Sequence, residues 1–263
     1  MMKKMVAIVL ALVLVCALTA MASAEGTFRV GVKQDVYGFG YLDETTGEYS
    51  GMEIDLAAKL AEALGYDEVE YTTVTAATRG QMLDNDELDC VIATFTIKPE
   101  RLESWDFSTP YYIDAVTVLV EDESGITDLA GLVGKTVGVS SGSTSAKALA
   151  DAMVEAGVID AFDADTFDAT TFSGGVSFKV FDDYPAISMA LDSGDVDAFC
   201  VDKSILANYK TDGRSFIDAS FAPQEYGVAT KKGSELSAKI EELITTWLED
   251  GTIDGMIAEW GLE

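Results

Sequence analysis

Histidine does not occur in the 263 residues, and cysteine occurs only three times. Without histidine, a Ser-His or Cys-His catalytic pair is excluded. Beyond the N-terminal segment only Cys90 and Cys200 remain, far apart in sequence, which leaves zinc without a plausible ligand set. Positive charge is scarce as well: 17 Lys and Arg stand against 46 Asp and Glu, for a formal net charge of −29. So acidic a surface repels nucleic acid and anionic lipid, and neither is expected as a partner. Any concentration of positive charge must therefore be local, because the diffuse field would otherwise turn anionic ligands away. Long apolar runs are missing too. The run from Val6 to Leu18 is too short and wrongly flanked for a membrane span. It follows Lys3 and Lys4 and precedes Ala22-Ser23-Ala24, so residues 1–24 read as a secretory signal that is removed. Cys16 follows Val15, where a lipoprotein leader wants a small residue. The expectation is a soluble exported protein, periplasmic or associated with the cell surface.

What remains is long enough for one large or two medium domains. Thr27 to Lys33 alternates and then turns apolar, as a first strand does, and Asp43 to Gly51 holds a hairpin turn around Gly47. Leu56, Leu60 and Leu64 recur at i, i+4 and i+8, which predicts an amphipathic helix from Met52 that Gly65 ends. A strand at Glu68 to Val74, a short helix opening at Thr78-Arg79-Gly80 and a buried strand at Leu88 to Thr94 follow. This alternation argues an α/β domain with a largely parallel sheet. After an extended apolar segment, Tyr111 to Glu121, the pattern restarts. It gives strands at Thr136 to Val139, Val176 to Phe181 and Val196 to Val201, with helices at Ser143 to Ala156 and Tyr184 to Leu191. A second extended segment, Glu225 to Thr230, leads to terminal helices at Glu235 to Glu249 and Ile253 to Trp260. The two extended segments are candidate crossings between domains. Residues 159–175 fit neither period and read as an acidic surface loop. Asp163, Asp165 and Asp168 lack the glycine and closing glutamate of a calcium loop, so no metal is expected there. Cys90 and Cys200 sit in apolar strand-like runs and read as buried free thiols.

The stretch Ala93 to Tyr111 carries the functional suggestion. Thr94 and Thr96 are two apart, so an extended backbone points both hydroxyls to one face, and Pro99 permits a helical turn that brings Arg101 back towards them. Two hydroxyls and a guanidinium make a receptor for a carboxylate. The alternative is a solvated Arg on a surface helix. An internal repeat strengthens the first reading: Thr94 lies eleven residues after Leu83, and Asp202 eleven after Leu191, each at the end of a buried strand. Ligands of open α/β sheets bind at such carboxyl ends, and two lobes placed face to face would enclose a cleft.

With these residues in view, the chain resembles an extracellular solute-binding protein of the polar amino-acid ABC-transporter family (family 3), over residues 27–262. The motifs are Gly51-Met-Glu-Ile-Asp-Leu56, Thr96-Ile-Lys-Pro-Glu-Arg101 with Phe107-Ser-Thr-Pro-Tyr-Tyr112, Leu129-Ala-Gly-Leu-Val-Gly-Lys135, and Val201-Asp202, in order and at family spacing. The resemblance implies a periplasmic-binding-protein-like α/β fold with two lobes joined by two hinge strands. Lobe 1 is then expected from residues 25–115 and 227–263, and lobe 2 from residues 116–226. It implies closure over an amino acid, recognition by a membrane permease, no cofactor and a monomer. Arg101 would hold the α-carboxylate with Thr96 and the backbone N–H groups of Ser143 and Thr144, and Asp202 with Thr94 would receive the α-ammonium. Gly142-Ser143-Thr144 ahead of a helix suits an anion on physical grounds as well. Lys98 and Tyr37 depart from the residues common in the family.

Specificity rests on Lys33 and Arg79. Together with Arg101 they outnumber Asp202, and this excess of positive charge favours glutamate or aspartate over glutamine. The alternatives are that Lys33 reaches solvent and that Arg79 pairs with Asp84 or Glu87. Tyr184 either walls the side-chain pocket or packs a helix start. Two further readings stay open. One is a cyclohexadienyl dehydratase-like lyase using Glu53 or Asp55, and the other a sensor that docks on a receptor.

Overall fold

The strand Thr27–Val32 opens the portion that the computed structural model describes, residues 26–263. The expected leader, with Cys16, lies outside the described residues. Thr27–Val32 runs parallel to Glu68–Thr73 on one side and Cys90–Ile92 on the other. Ala229–Lys231, antiparallel to Cys90–Ile92, and then Trp105–Phe107, antiparallel to Ala229–Lys231, complete a five-stranded sheet. A second sheet sets Ser177–Phe181, Thr136–Ser140 and Ala198–Asp202 parallel to one another, with Tyr112–Glu121 antiparallel to the last. Phe221–Tyr226 and Arg214–Phe216 pair along the other side of Tyr112–Glu121. This is a two-lobed α/β architecture of the periplasmic-binding-protein kind. The chain changes sheets within residues 108–111 and again at residues 227–228. The position 115/116, where the sequence suggests a lobe boundary, falls inside Tyr112–Glu121, a strand that belongs wholly to the second sheet. The two passages run side by side, Ser108 N–H donating to Val228 O at 3.0 Å and Tyr111 N–H to Tyr226 O at 2.9 Å.

The helix Met52–Leu64 begins where Gly51 permits it to. Gly51 has φ +131°, and a Cβ there would stand 2.1 Å from the carbonyl oxygen of Phe39, so glycine is required twice over. Leu56 and Leu60 are fully buried, and Gly65 ends the helix in the left-handed conformation with its N–H on Glu62 O. Cys90 and Cys200 are both buried and free. Three elements leave no period in the sequence because they are only three to five residues long: Trp105–Phe107, Lys203–Ala207 and Arg214–Phe216.

Residues 159–175 correct an expectation. The segment has one short 3-10 turn, Ala164–Thr166, but it is fastened by aromatic packing and is not purely a solvated acidic loop. Phe162, Phe167 and Phe172 contact one another at centroid separations of 5.1–5.4 Å, and Phe172 reaches Phe178 of the second sheet at 5.8 Å. Asp163 and Asp168 turn back on their own backbone, accepting from Asp165 N–H and Thr170 N–H. Phe172→Ala is expected to lower the unfolding free energy by about 2 kcal/mol, less than a fully buried phenylalanine would cost. The midpoint of urea unfolding reads this directly, and Asp163→Ala should move it by less than about 0.5 kcal/mol.

Candidate functional site

The carboxyl end of Cys90–Ile92 is where the first lobe gathers its charge. Thr94 there has φ +45°, a left-handed backbone that a β-branched residue adopts at a cost of about 1–3 kcal/mol. Two charged side chains hold it. Thr94 N–H donates to Glu53 Oε1 at 2.6 Å, and Arg79 donates through one terminal nitrogen to Ala93 O at 2.5 Å and Thr94 O at 3.2 Å. Tyr111 OH donates to the same Glu53 oxygen at 2.6 Å. Arg79 is buried and pairs with neither Asp84 nor Glu87, which bond Trp105 and Asn85 instead. Its guanidinium lies over the Phe95 ring at 3.9 Å, and that of Arg101 lies over the same ring at 4.9 Å.

Arg101, on the turn of helix Pro99–Leu102, donates to Thr96 O at 2.8 Å and across the cleft to Gly142 O at 3.1 Å. Burial first, and then the charge of Arg79, push its pKa down to about 9. Neither arginine has an ion-pair partner among the described residues. Two guanidiniums over one ring are relieved by an anion; the groove of about 510 Å³ between the lobes is lined by Arg101, Ser143 and Thr144 together with Lys98, Glu100, Lys147 and Asp151, and not by Arg79.

The hydroxyls are placed differently from expectation. Thr96 Oγ1 donates to Gln224 Oε1 at 2.8 Å, so its proton is not free for a carboxylate, and what it offers a ligand is acceptor capacity. Thr144 Oγ1 donates to the same Gln224 oxygen at 2.8 Å. Ser143 spends its N–H, at 3.2 Å, and its hydroxyl, at 2.7 Å, on the Ser140 carbonyl, so its backbone is not a free anion donor.

In the second lobe, Asp202 ends the strand Ala198–Asp202 and accepts from Tyr226 OH at 2.5 Å. Burial, and next the nearby charge of Asp114, push its carboxyl up to about 7. Lys33 is only 2% exposed and does not reach solvent. Its ammonium lies 3.1 Å from Asp35 Oδ1 and 4.6 Å from the centroid of the Tyr184 ring. Tyr184 starts the helix Tyr184–Asp192, buried, with its N–H on Asp35 Oδ2 at 3.4 Å. Burial raises the Tyr184 hydroxyl well above its ordinary pKa and keeps it neutral.

Three residues that the charge count leaves out therefore enter the site. Asp35 opens the short strand Asp35–Val36 just past the end of the first strand, two positions after Lys33. Glu53 is fully buried and pushed up to about 7, first by desolvation and against the pull of Tyr111 OH, Thr94 N–H and Arg79. Gln224 carries no mark in the sequence. Asp55, by contrast, accepts from Trp260 at the exposed side of the first helix, a contact that involves none of the cleft residues. Five buried side-chain atoms have no hydrogen-bond partner among the described residues: Asp35 Oδ1, Glu53 Oε2, Arg79 Nε, Thr94 Oγ1 and Ser145 Oγ. Asp35 Oδ1 meets Lys33 as an ion pair that is off the line of a hydrogen bond.

The sequence model of the bacterial extracellular solute-binding proteins, family 3, matches residues 28–263. The chain belongs to that family. Within it, the ABC transporter glutamine-binding protein GlnH of Bacillus subtilis (strain 168) is 32% identical over 241 residues, 88% of this chain and 79% of that one. The L-cystine-binding protein TcyJ of Escherichia coli (strain K12) is 30% identical over 244 residues, 90% of this chain and 83% of that one. An ancestral arginine-binding protein, solved bound to arginine and to glutamine, is similar at TM-scores of 0.74 and 0.73. Its identity is 32%, and the match covers 89% of this chain and 98% and 97% of those chains.

The Asp202 carboxyl gives the site a pH dependence with a definite sign. An ammonium ligand needs it ionised, and below about pH 7 its proton must leave on binding. The affinity for an amino acid is expected to fall as pH is lowered, approaching tenfold per unit below about pH 6. Titration calorimetry in buffers of different ionisation enthalpy should show protons released on binding at pH 6 and few at pH 8.

Proposed function

We propose that the chain is the amino-acid-binding component of an ABC importer, working outside the cytoplasm as a monomer and delivering its ligand to a membrane permease. We infer further that its ligand is a polar amino acid with a neutral amide side chain, glutamine first. The observation that carries the second statement is the mixed character of the buried, unpartnered atoms. Arg79 Nε can only donate, Glu53 Oε2 accepts when ionised, and Thr94 Oγ1 can do either, while Asp35 Oδ1 is already ion-paired with Lys33. A carboxamide offers two N–H donors and a carbonyl acceptor, whereas a carboxylate only accepts and would face Glu53 and Asp35 with like charge. At the other end of the ligand Arg101 receives the α-carboxylate and Asp202 the α-ammonium, with Thr96 Oγ1 as a further acceptor. The names of GlnH and of the glutamine-bound ancestral protein support the same direction.

Glutamate or aspartate is the second reading, and the burial of both Lys33 and Arg79 favours it. The excess of cations that suggested it is smaller than the sequence implies, because Asp35 stands beside Lys33 and Glu53 acts on Arg79. A lyase on this fold would draw on Glu53 alone, and turnover of prephenate by the purified protein would establish it.

Melting temperature against a panel of amino acids separates these readings, since a ligand of the native state at a hundredfold excess over its Kd stabilises by about 2.7 kcal/mol. Glutamine is expected to give the largest shift, and Arg101→Ala to abolish it while leaving the unliganded protein folded. A larger shift with glutamate would transfer the assignment to the acidic amino acids.

Glu53 adds a second pH effect. As pH rises through about 7 it gains negative charge beside Arg79, so glutamate should lose ground to glutamine between pH 6 and pH 8 by up to about tenfold. The ratio of the two dissociation constants at those pH values measures it.

A further inference from the structure

Asp35 touches three things at once. Its Oδ1 lies 3.1 Å from the Lys33 ammonium, its Oδ2 accepts from the Tyr184 N–H at 3.4 Å, and its main-chain carbonyl accepts from Tyr209 OH at 3.0 Å. Lys33 belongs to the first lobe with Asp35, while Tyr184 and Tyr209 belong to the second. The pair is nearly dry: the side chain of Lys33 is 3% exposed and that of Asp35 is 9% exposed. The Tyr184 ring lies beneath the Lys33 ammonium, and the charges of Arg79 and Glu53 also act on it.

We propose that Asp35 sets the ligand charge that the cleft accepts, by serving as the internal counter-ion of Lys33. This inference rests on the amino-acid reading above and concerns how the side-chain end of the same site discriminates. A buried ion pair gains little over an apolar pair, but removing one partner leaves the other charged and unpaired in a medium of low dielectric. With Asp35 in place, Lys33 presents no uncompensated charge, and an acidic ligand meets a carboxylate where it would need a cation. Without that carboxylate, the ammonium is left for the ligand to neutralise, and glutamate supplies what glutamine lacks. Asp35 is thus a positioning and specificity residue, and its bonds to Tyr184 and Tyr209 tie this charge balance to the approach of the second lobe.

The test is calorimetric titration of the purified protein, Asp35→Asn, Lys33→Gln and the double variant with glutamine, glutamate and arginine. Asp35→Asn keeps the shape and an acceptor oxygen for Tyr184 N–H, so a merely structural role would weaken both ligands alike. The expected result is a rise of about tenfold or more in the affinity for glutamate relative to glutamine, cancelled when Lys33→Gln is added. Lys33→Gln alone leaves Asp35 as the uncompensated charge, and arginine should then gain on glutamine by a similar factor. Should Asp35→Asn fail to fold, that arginine gain carries the test, and its absence overturns the proposal. Wild-type binding of glutamine together with an unmoved ratio in Asp35→Asn would overturn this inference alone. Wild-type protein that binds no amino acid would overturn the reading on which it rests, and the inference with it.

Discussion

Two guanidinium groups share one phenylalanine ring, and no carboxylate neutralises either of them among the described residues. In a chain with a formal net charge of −29, the side chains of Arg79 and Arg101 could easily have found acidic partners. Arg79 is instead buried and Arg101 half-buried against Phe95, and they spend hydrogen bonds on main-chain carbonyls of residues 93, 94, 96 and 142. Main-chain carbonyls engage terminal nitrogens of both guanidiniums without cancelling the charge, so the positive potential persists. Much of the site follows from this. The left-handed Thr94 is held by the bonds it exchanges with Arg79 and Glu53. Glu53 stays buried where it feels Arg79, and Arg101 reaches across to Gly142, so the same charge that would attract an anion also draws the lobes together.

The remaining charges around the cleft are balanced by a different rule. There each charge has a partner or a neighbouring polar group: Lys33 with Asp35, and Asp202 with Tyr226 OH. Asp202 and Glu53 are held near neutrality by burial, which makes each sensitive to the charge that arrives beside it. An α-amino acid would meet unbalanced positive charge at Arg101 and a carboxyl ready to ionise at Asp202, and this asymmetry would orient its carboxylate and ammonium.

Much of this was legible in the sequence where a rule of spacing applies. The three leucines of the first helix announce it, and the equal offset of Thr94 and Asp202 from their leucines points to two strand ends of like design. What escaped has identifiable causes. An arginine that bonds main-chain carbonyls has no partner that a sequence can name, so the environment of Arg79 could not be read. Phe162, Phe167 and Phe172 are five residues apart, which matches neither the strand nor the helix period, so a fastened segment looks like an acidic loop. Thr96 and Thr144 were legible as hydroxyls, but their shared acceptor, Gln224, lies far along the chain, and the direction of a hydroxyl proton is decided only when the acceptor is in place.

The path of the chain through the first sheet bears on how the protein is made. Ala229–Lys231 is inserted between Cys90–Ile92 and Trp105–Phe107, so that sheet cannot close until the last strand of the chain has emerged. The second sheet needs nothing beyond Tyr226 and is complete earlier. Domains generally fold as units while the chain is being synthesised. Lys33, Arg79 and Arg101 all sit in the lobe that waits, while Asp202 sits in the one that does not. The cationic half of the site is therefore completed after the half that carries Asp202.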